Sequence, residues 1–263
     1  MKRRIARNVM LAAGLVLVFP ILAVAGDATF VVHGQNLHLK TFGASGPTVV
    51  FEAGLGNDSS TWRLVAGPVA AFARVVLYDR AGLGQSLPVE TKDAAVTADD
   101  VATSLHGLLA AADLHPPYIL VGHSLGGLYV QMFARKYPNE VSGVVLLDSS
   151  SPQAPDALKT RARLEPGSPA YREEEGIPES NKQVARGGAF PDVPLTVVAA
   201  TDHAPFFKDW EPTLMQLQRQ LATLSPRATL VVAQDSGHDG HDIQLERPGI
   251  VIDAVKRKVE QQR

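Results

Sequence analysis

Most of the chain alternates between short apolar runs and longer segments whose apolar residues fall on one face of a helix. The apolar runs are four to seven residues long, as expected for strands that are buried on both faces. They lie at residues 48–51, 75–78, 118–121, 141–147, 195–200 and 229–232. This alternation predicts an α/β fold built on a mostly parallel, doubly wound sheet of about eight strands, with helices on both faces.

Two regions depart from this alternation. Residues 29–32 and 37–40 are short strand patterns separated by residues 33–36, which predicts an antiparallel hairpin at one edge of the sheet. Residues 151–193 follow the sixth strand pattern, are rich in proline and carry a charged patch at 172–175. Because about 40 residues are too many for an ordinary connection, we interpret this segment as a small cap or lid, with an irregular excursion as the alternative.

The N-terminal segment has the composition of a secretory signal peptide. Residues 1–7 are basic, residues 9–25 are apolar apart from Pro20, and the segment ends in the Ala-x-Ala pattern of a cleavage site. We expect residues 1–25 to direct export, to the periplasm or out of the cell, and then to be removed, which leaves residues 26–263 as one domain. The alternative is an uncleaved membrane anchor, for which the apolar run lies at the short limit.

Charge limits the kinds of molecule that the protein is expected to bind, and cysteine content limits how it is stabilised. The 263-residue chain has a formal net charge of −2, and removal of the leader would leave 21 basic against 27 acidic residues. A mildly acidic protein without a basic run gives no support for nucleic-acid binding. We expect a small-molecule substrate and no membrane association after cleavage, while the oligomeric state is not predicted. The chain contains no cysteine, so its stability after export must come from the core without disulfides.

One short stretch, residues 122–126, carries the strongest chemical signal. It reads Gly-His-Ser-Leu-Gly and joins a predicted buried strand to a predicted helix, which is the context of the G-x-S-x-G turn. Such a turn is sharp, so Gly122 and Gly126 must be almost free of side chain to avoid backbone clashes. It exposes the hydroxyl of Ser124 at a helix N-terminus, where free N–H groups favour developing negative charge. Ser124 is therefore the predicted nucleophile.

Acyl transfer by such a serine also needs backbone N–H donors for the oxyanion. We assign one donor to Leu125, the residue after the predicted nucleophile, and the other to Leu55 in the Gly-rich loop 53–56. The glycines on both sides of Leu55 let the backbone approach a substrate closely. The alternative for this loop is an ordinary strand-to-helix turn.

Three stretches of the chain resemble the α/β-hydrolase superfamily, in particular its esterase-like and lipase-like serine hydrolases. They are residues 51–56, residues 122–127 and a late Gly-His pattern before residues 244–248, and they occur in the family's order over nearly the whole mature chain. The resemblance implies the α/β-hydrolase fold for residues 26–263. It also implies a serine nucleophile, an acid and a histidine in that order along the sequence. We expect no cofactor.

Two aspartates fit the position of the acid, which would orient the histidine ring and stabilise the imidazolium. Asp202 follows the seventh strand pattern, at a spacing similar to the family's usual acid position. Asp148 follows the sixth strand pattern, a position that some members of the family use. We favour Asp202 as the catalytic acid and keep Asp148 as its alternate.

Two histidines fit the base, because the Gly-His pattern is doubled at 237–242. Counting from the preceding strand favours His238, whereas counting back from the final helix favours His241. We favour His241, since extra residues are absorbed more easily before the histidine than between it and its helix. The doubling is a weak metal signal without a third ligand set, so no metal is expected. His123 is expected to pack under the nucleophile turn, and His203 is expected in a loop.

These residues predict a serine hydrolase that cleaves a carboxylic ester of a small or medium apolar substrate through an acyl-enzyme on Ser124. A lactone, thioester or amide substrate would use the same residues. A serine nucleophile argues against the superfamily's dehalogenases and epoxide hydrolases, which need an aspartate. A ligand-binding member of the fold without turnover is the alternative from a different functional class.

Overall fold

An eight-stranded sheet runs through the part of the chain that the computed structural model describes, which comprises residues 24–43, 46–88, 94–155, 164–203, 205–234 and 241–262. The strands are β1 (Val24–Val32), β2 (Gln35–Phe42), β3 (Thr48–Glu52), β4 (Arg74–Tyr78), β5 (Tyr118–His123), β6 (Val141–Leu147), β7 (Leu195–Ala200) and β8 (Ala228–Ala233). Their order across the sheet is β1-β2-β4-β3-β5-β6-β7-β8. Neighbours from β4 to β8 pair in parallel, whereas β1 with β2 and β2 with β4 pair antiparallel. The predicted mostly parallel sheet and its edge hairpin are confirmed.

Helices occupy the connections between the parallel strands. The α-helices are α1 (Ala66–Ala70), α2 (Ala98–Ala111), α3 (Leu125–Lys136), α4 (Pro169–Arg186), α5 (Glu211–Leu221), α6 (Ile243–Glu246) and α7 (Pro248–Glu260). Short 3-10 helices lie at Ser59–Trp62, Pro138–Glu140 and Pro205–Trp210. Local sequence sets several of the boundaries. For example, α2 begins at a capping box in which the side chains of Thr97 and Asp100 satisfy each other's backbone N–H groups.

Both faces of the sheet are covered, which gives the protein two apolar cores. Leu120 of β5 belongs to the core that also contains Leu108 of α2 and Leu128 of α3. The next residue, Val121, points to the opposite face and belongs to the core that contains Val255 of α7. Strands that are buried on both faces in this way are held rigidly, so the loops at their ends have fixed positions.

The loops at the carboxyl ends of the central parallel strands meet at one edge of the sheet. β3 leads into the loop that contains Leu55, β5 leads into Ser124, and β6 leads into Asp148. Because β5 lies between β3 and β6, Ser124 is flanked by the Leu55 loop on one side and by Asp148 on the other. Ligands of open α/β sheets bind at this edge.

Two predicted segments are described only in part. Within the predicted cap, 151–193, the structure shows the 18-residue helix α4, which packs against α2 and α3, while residues 156–163 lie outside the described residues. Of the predicted leader, Val24 and Ala25 form the start of β1, and residues 1–23 lie outside the described residues. Among the helices that are described, none is long and apolar enough to cross a membrane. The cap and the leader stay predictions.

Candidate active site

Ser124 lies on the sharp turn between β5 and α3, in a backbone conformation that L-residues rarely adopt. Its φ is 52° and its ψ is −122°. The turn brings backbone segments together so closely that a Cβ at Gly122 would lie 2.7 Å from the Gly126 carbonyl oxygen, and one at Gly126 would lie 2.5 Å from the Glu52 carbonyl oxygen. The predicted need for glycine at both positions is therefore confirmed.

A chain of hydrogen bonds runs from Ser124 through His241 to Asp148. The Nε2 atom of His241 lies 2.9 Å from Ser124 Oγ, and its Nδ1 atom lies 2.6 Å from Asp148 Oδ2. When Nδ1–H donates to the carboxylate, Nε2 is left with the lone pair that can accept the serine proton. Burial favours the neutral ring, but the Asp148 carboxylate raises the pKa of His241 above its ordinary value. The predicted nucleophile and the favoured histidine thus lie together.

The carboxylate beside His241 is that of Asp148, the alternate acid, and not that of the favoured Asp202. The structure corrects the expected geometry, while the catalytic role of the acid stays a prediction. Asp202 is exposed, and its carboxylate accepts a hydrogen bond from Thr201 Oγ1 at 2.9 Å. The direction of the side chains gives the physical reason. The loop after β7 does reach the site, because His203 contacts Asp148 at 2.8 Å, but the carboxylate of Asp202 turns to Thr201 instead.

Asp148 also contacts a second histidine, which the sequence analysis placed only in a loop. His203 Nε2 lies 2.8 Å from the same Oδ2 atom of Asp148, and His203 Nδ1 lies 2.8 Å from Glu211 Oε1. Burial opposes the charged ring, but hydrogen bonds and charge attraction from the two carboxylates raise the pKa of His203 to about 9. Burial would also raise the pKa of Asp148, yet its two histidine partners hold it far below its usual range.

His123 lies under the nucleophile turn, as predicted, and fixes the backbone of His241. Its Nε2–H donates to the His241 carbonyl oxygen at 2.9 Å, and its Nδ1 lies 3.4 Å from Gln244 Nε2. Burial, helped by the nearby His241, lowers the pKa of His123 to about 4, so the ring is neutral at pH 7. A neutral imidazole with one donor and one acceptor matches both contacts.

Two backbone N–H groups beside Ser124 are open for an oxyanion. Within the described part of the chain, neither Leu55 nor Leu125 donates its N–H to a partner. The N–H of the following residue, Gly56, is already taken by the Glu173 carboxylate at 2.8 Å. This pattern fits the predicted oxyanion donors, whose catalytic role stays a prediction.

The Arg80 guanidinium holds the loop that carries Leu55 through hydrogen bonds to the loop backbone. The guanidinium donates to the carbonyl oxygens of Ala53 at 2.8 Å and Gly54 at 2.6 Å. It also forms buried ion pairs with Glu52 and Glu173, each at 2.6 Å. The loop passes directly beside the nucleophile, since a Cβ at Gly54 would lie 3.3 Å from the nucleophile's own Cβ.

The side chains of Asp148, His203 and His241 could also be considered as metal ligands, because their ligand atoms lie within 4.8 Å of one another. Two ligands of a tetrahedral zinc ion, each about 2.0–2.1 Å from the metal, stand roughly 3.3 Å apart. The two nitrogen-to-carboxylate separations are 2.6 and 2.8 Å, which are hydrogen-bond lengths. The arrangement therefore fits shared protons better than a shared metal ion.

Sequence comparison supports the same fold. A sequence model of the alpha/beta hydrolase fold matches residues 47–190, more than half of the chain. The chain belongs to the α/β-hydrolase fold family. The match spans the turn of Ser124 and the position of Asp148, but it ends before His203 and His241.

Other known proteins resemble the chain over most of its length. The uncharacterized Bacillus subtilis (strain 168) protein YqjL is 29% identical over 239 residues, which cover 87% of this chain and 90% of YqjL. The enol-lactonase from Burkholderia xenovorans LB400 superposes with a TM-score of 0.64 at 19% identity, over 88% of this chain and 99% of the lactonase. A thermophilic esterase from Thermogutta terrifontis superposes with a TM-score of 0.64 at 19% identity, over 90% of this chain and 99% of the esterase. At these identities the two structures show a shared fold alone.

Within this α/β-hydrolase fold, several contacts of the site were not found from the sequence. Glu211 lies in a helical pattern and Glu173 in the charged patch 172–175, both without a motif, and Gln244 was noted only as part of the family resemblance. No local spacing gave a signal for Glu211, because the 3-10 helix Pro205–Trp210 separates it from His203 along the chain. The alternate histidine, His238, lies in 235–240, outside the described residues.

Proposed function

We propose that the protein is a serine hydrolase that cleaves a carboxylic ester of a small or medium apolar substrate through an acyl-enzyme on Ser124. The observation that carries this proposal is the unbroken hydrogen-bond chain from Ser124 Oγ through His241 to Asp148. A serine that only allowed close packing of a helix against a strand would need neither the histidine nor the carboxylate at these distances. The arrangement is that of an activated nucleophile, a base and a group that orients the base.

Acylation follows from this geometry. His241 Nε2 takes the proton of Ser124 Oγ while that oxygen attacks the ester carbonyl carbon. The carbonyl oxygen becomes an oxyanion, which accepts hydrogen bonds from the N–H groups of Leu55 and Leu125. The tetrahedral intermediate then expels the alkoxide, which receives the proton from His241 and leaves as the alcohol. The acyl group stays on Ser124 as an ester.

Deacylation uses the same groups with water as the nucleophile. His241 takes a proton from water, and the resulting hydroxide attacks the acyl carbon. Collapse of the second tetrahedral intermediate breaks the bond to Ser124 Oγ, which regains its proton from His241. The carboxylic acid leaves, and the starting arrangement is restored.

Electrostatics support the base role of His241. Asp148 is 6% exposed and is held ionised by its histidine partners, so it can stabilise the imidazolium that forms on His241. Ser124 is half-buried, which leaves its hydroxyl accessible to a substrate. An ester asks less of such a site than an amide, because an alkoxide is a better leaving group than an amide anion.

The first test is hydrolysis of p-nitrophenyl esters from acetate to decanoate by the purified protein. We expect turnover by the wild type, with an optimum at a short or medium acyl chain. Ser124→Ala should reduce kcat by about 10⁴-fold or more. Ser60→Ala, which removes an exposed hydroxyl near the same loop, is the matched control and should retain wild-type turnover.

A fluorophosphonate probe separates an enzyme from a binding protein. The proposal expects covalent labelling of Ser124 in the wild type, with loss of the label in Ser124→Ala and no loss in Ser60→Ala. Labelling without ester turnover would move the substrate to a lactone, thioester or amide. A protein that is folded by circular dichroism and is not labelled would contradict the serine hydrolase.

A further inference from the structure

His203 is a buried histidine whose two ring nitrogens both face carboxylate oxygens. Its side chain is 4% exposed. The Nε2 atom lies 2.8 Å from Asp148 Oδ2, and the Nδ1 atom lies 2.8 Å from Glu211 Oε1. The backbone N–H of His203 also donates to Glu211 Oε1, at 2.7 Å. Both ring nitrogens are therefore held by carboxylates, and the backbone N–H of the same residue binds one of these carboxylates as well.

The chemistry of imidazole decides whether the His203 ring carries one proton or two. A neutral ring has one N–H donor and one lone pair, so it would set its lone pair against one of the two carboxylates. An imidazolium has two N–H donors and satisfies both. His203 is therefore best described as a cation that bridges Asp148 and Glu211.

Three titratable groups in the described part of the chain face His203. The titratable groups that face it are Asp148 after β6, Glu211 at the start of α5, and His241, whose ring centre lies 6.3 Å away. Asp202, the preceding residue, is exposed and points its carboxylate to Thr201. Among the described residues, Asp148 is the group that contacts both His203 and His241.

Asp148 is saturated by these contacts. Its Oδ2 atom receives Nδ1–H of His241 at 2.6 Å and Nε2–H of His203 at 2.8 Å, while its Oδ1 atom receives the N–H of Ala200 at 3.3 Å. A carboxylate that is shared in this way cannot rotate freely, and part of its negative charge is balanced before the reaction begins.

We propose that protonated His203 is a positioning residue, which fixes the Asp148 carboxylate for His241 and shares its charge, so that His241 is a weaker base than it would be beside an unshared aspartate. The two histidines are coupled through one oxygen atom. The consequence for activity is that His241 stays neutral, and therefore able to accept the serine proton, down to a lower pH. The charge of His203 acts in this direction on His241.

The activity test rests on the proposed function, and it measures the pH profile of kcat/KM for a p-nitrophenyl ester. In His203→Gln, the side-chain amide nitrogen takes the place of Nε2 but carries no charge. We expect the acid limb of the profile to move to higher pH by about one pH unit, while kcat on the plateau stays within about threefold. His203→Ala should show the same displacement together with a lower plateau, because Asp148 is no longer held.

The control for this test is His106→Gln. His106 forms a histidine–carboxylate pair with Glu140 at 3.1 Å, away from Ser124, so its loss should leave the pH profile unchanged. A purely structural role of His203 would lower kcat or the yield of folded protein without moving the acid limb. An unmoved limb in folded His203→Gln would therefore overturn the proposal.

A second measurement does not depend on turnover. Nitrogen-15 NMR of the full chain reports the protonation of each histidine ring. We expect both ring nitrogens of His203 to be protonated at pH 7.5, with deprotonation near pH 9, and we expect the titration of His241 to move to higher pH in His203→Gln. A His203 ring that is neutral at pH 7.5 would overturn the proposal even if esters are hydrolysed. Conversely, a failure to hydrolyse esters with a protonated His203 would count against the proposed function alone.

Glu211→Gln keeps the inference testable if His203→Gln does not fold. Glu211 is 29% exposed, so an uncharged amide should disturb the fold less at this position than at the buried His203. Loss of one of the two carboxylates should move the titration of His203 to lower pH. An unchanged titration would contradict the bridging geometry.

Discussion

Two polar clusters flank Ser124, and they hold their charge in different ways. The first, the Asp148 cluster, consists of Asp148, His203, Glu211 and His241. The second, the Arg80 cluster, consists of Arg80, Glu52, Tyr78 and Glu173. Both join residues from distant parts of the chain, yet only the Asp148 cluster contains side chains that exchange protons near neutral pH.

The Arg80 cluster is a permanent structure. A guanidinium stays protonated at any pH at which the protein is folded, and its burial between Glu52 and Glu173 keeps it so. The Tyr78 hydroxyl donates to Glu52, and Glu173 accepts the N–H of Gly56. Because Glu173 lies on α4, this cluster ties the predicted cap to the loop that carries Leu55.

Carboxylates around buried cations therefore serve two purposes on the two sides of Ser124. One cluster sets proton affinities, and the other sets backbone positions. Changes in the Asp148 cluster should therefore be visible in pH profiles, whereas changes in the Arg80 cluster should be visible in stability and in kcat at every pH.

The largest expected effect is the loss of the base. His241→Ala should lower kcat for a p-nitrophenyl ester by about 10⁴- to 10⁶-fold, because the proton of Ser124 then has no acceptor. His238→Ala, in the same segment of the sequence, is the matched control and should change kcat by less than about tenfold. Steady-state kinetics on both variants show which histidine is the base. The reverse ranking would place the base at His238.

The next effect concerns the Arg80 cluster. Glu173→Gln removes one carboxylate from a buried ion pair and should lower the free energy of unfolding by about 3–5 kcal/mol, measured by urea denaturation. The amide keeps one acceptor oxygen in place of two, so Gly56 and Arg80 compete for it, and kcat should fall by about tenfold with an unchanged acid limb. Glu175→Gln, two positions along α4 and exposed, should alter neither quantity. A displaced acid limb in Glu173→Gln would remove the distinction between the clusters.

The smallest expected effect is the pH dependence of stability from His203. Its pKa is about 9 in the folded protein against roughly 6.5 in the unfolded chain, so the stabilisation is complete below pH 6.5 and is lost between pH 6.5 and 9. The loss is at most about 3 kcal/mol. Urea midpoints at pH 6 and pH 9.5 should differ more in the wild type than in His203→Gln. Equal differences in the two proteins would show that His203 is not protonated in the fold.

Much of the fold could be predicted because its determinants are local. Apolar runs and amphipathic segments alternate along the chain, and each run became a strand of the sheet. The turn of Ser124 was predictable for the same reason, since Gly122 and Gly126 stand two residues from the serine and the close approach of backbone leaves no room for a Cβ.

The acid and its partners could not be predicted in this way, because they depend on where the side chains of distant loops point. Asp148 and Asp202 both follow an apolar strand, and their local patterns are alike. The loops after β6 and β7 both reach the site, and only the structure shows that the Asp148 carboxylate turns to His241 while that of Asp202 turns to Thr201. The Asp148–His203 pair spans 55 residues of sequence, and the Arg80–Glu173 pair spans 93, so no local spacing reveals either.

The measurement that tests the central claim most directly compares Asp148→Asn with Asp202→Asn. Both changes replace a carboxylate by an amide of the same shape, and circular dichroism checks that both proteins are folded. We predict that kcat/KM for a p-nitrophenyl ester falls by about 10³- to 10⁴-fold in Asp148→Asn, with a parallel fall in the rate of fluorophosphonate labelling, and that it stays within about threefold in Asp202→Asn. Wild-type activity in Asp148→Asn, or a larger loss in Asp202→Asn, would contradict the assignment of Ser124, His241 and Asp148 as one catalytic unit.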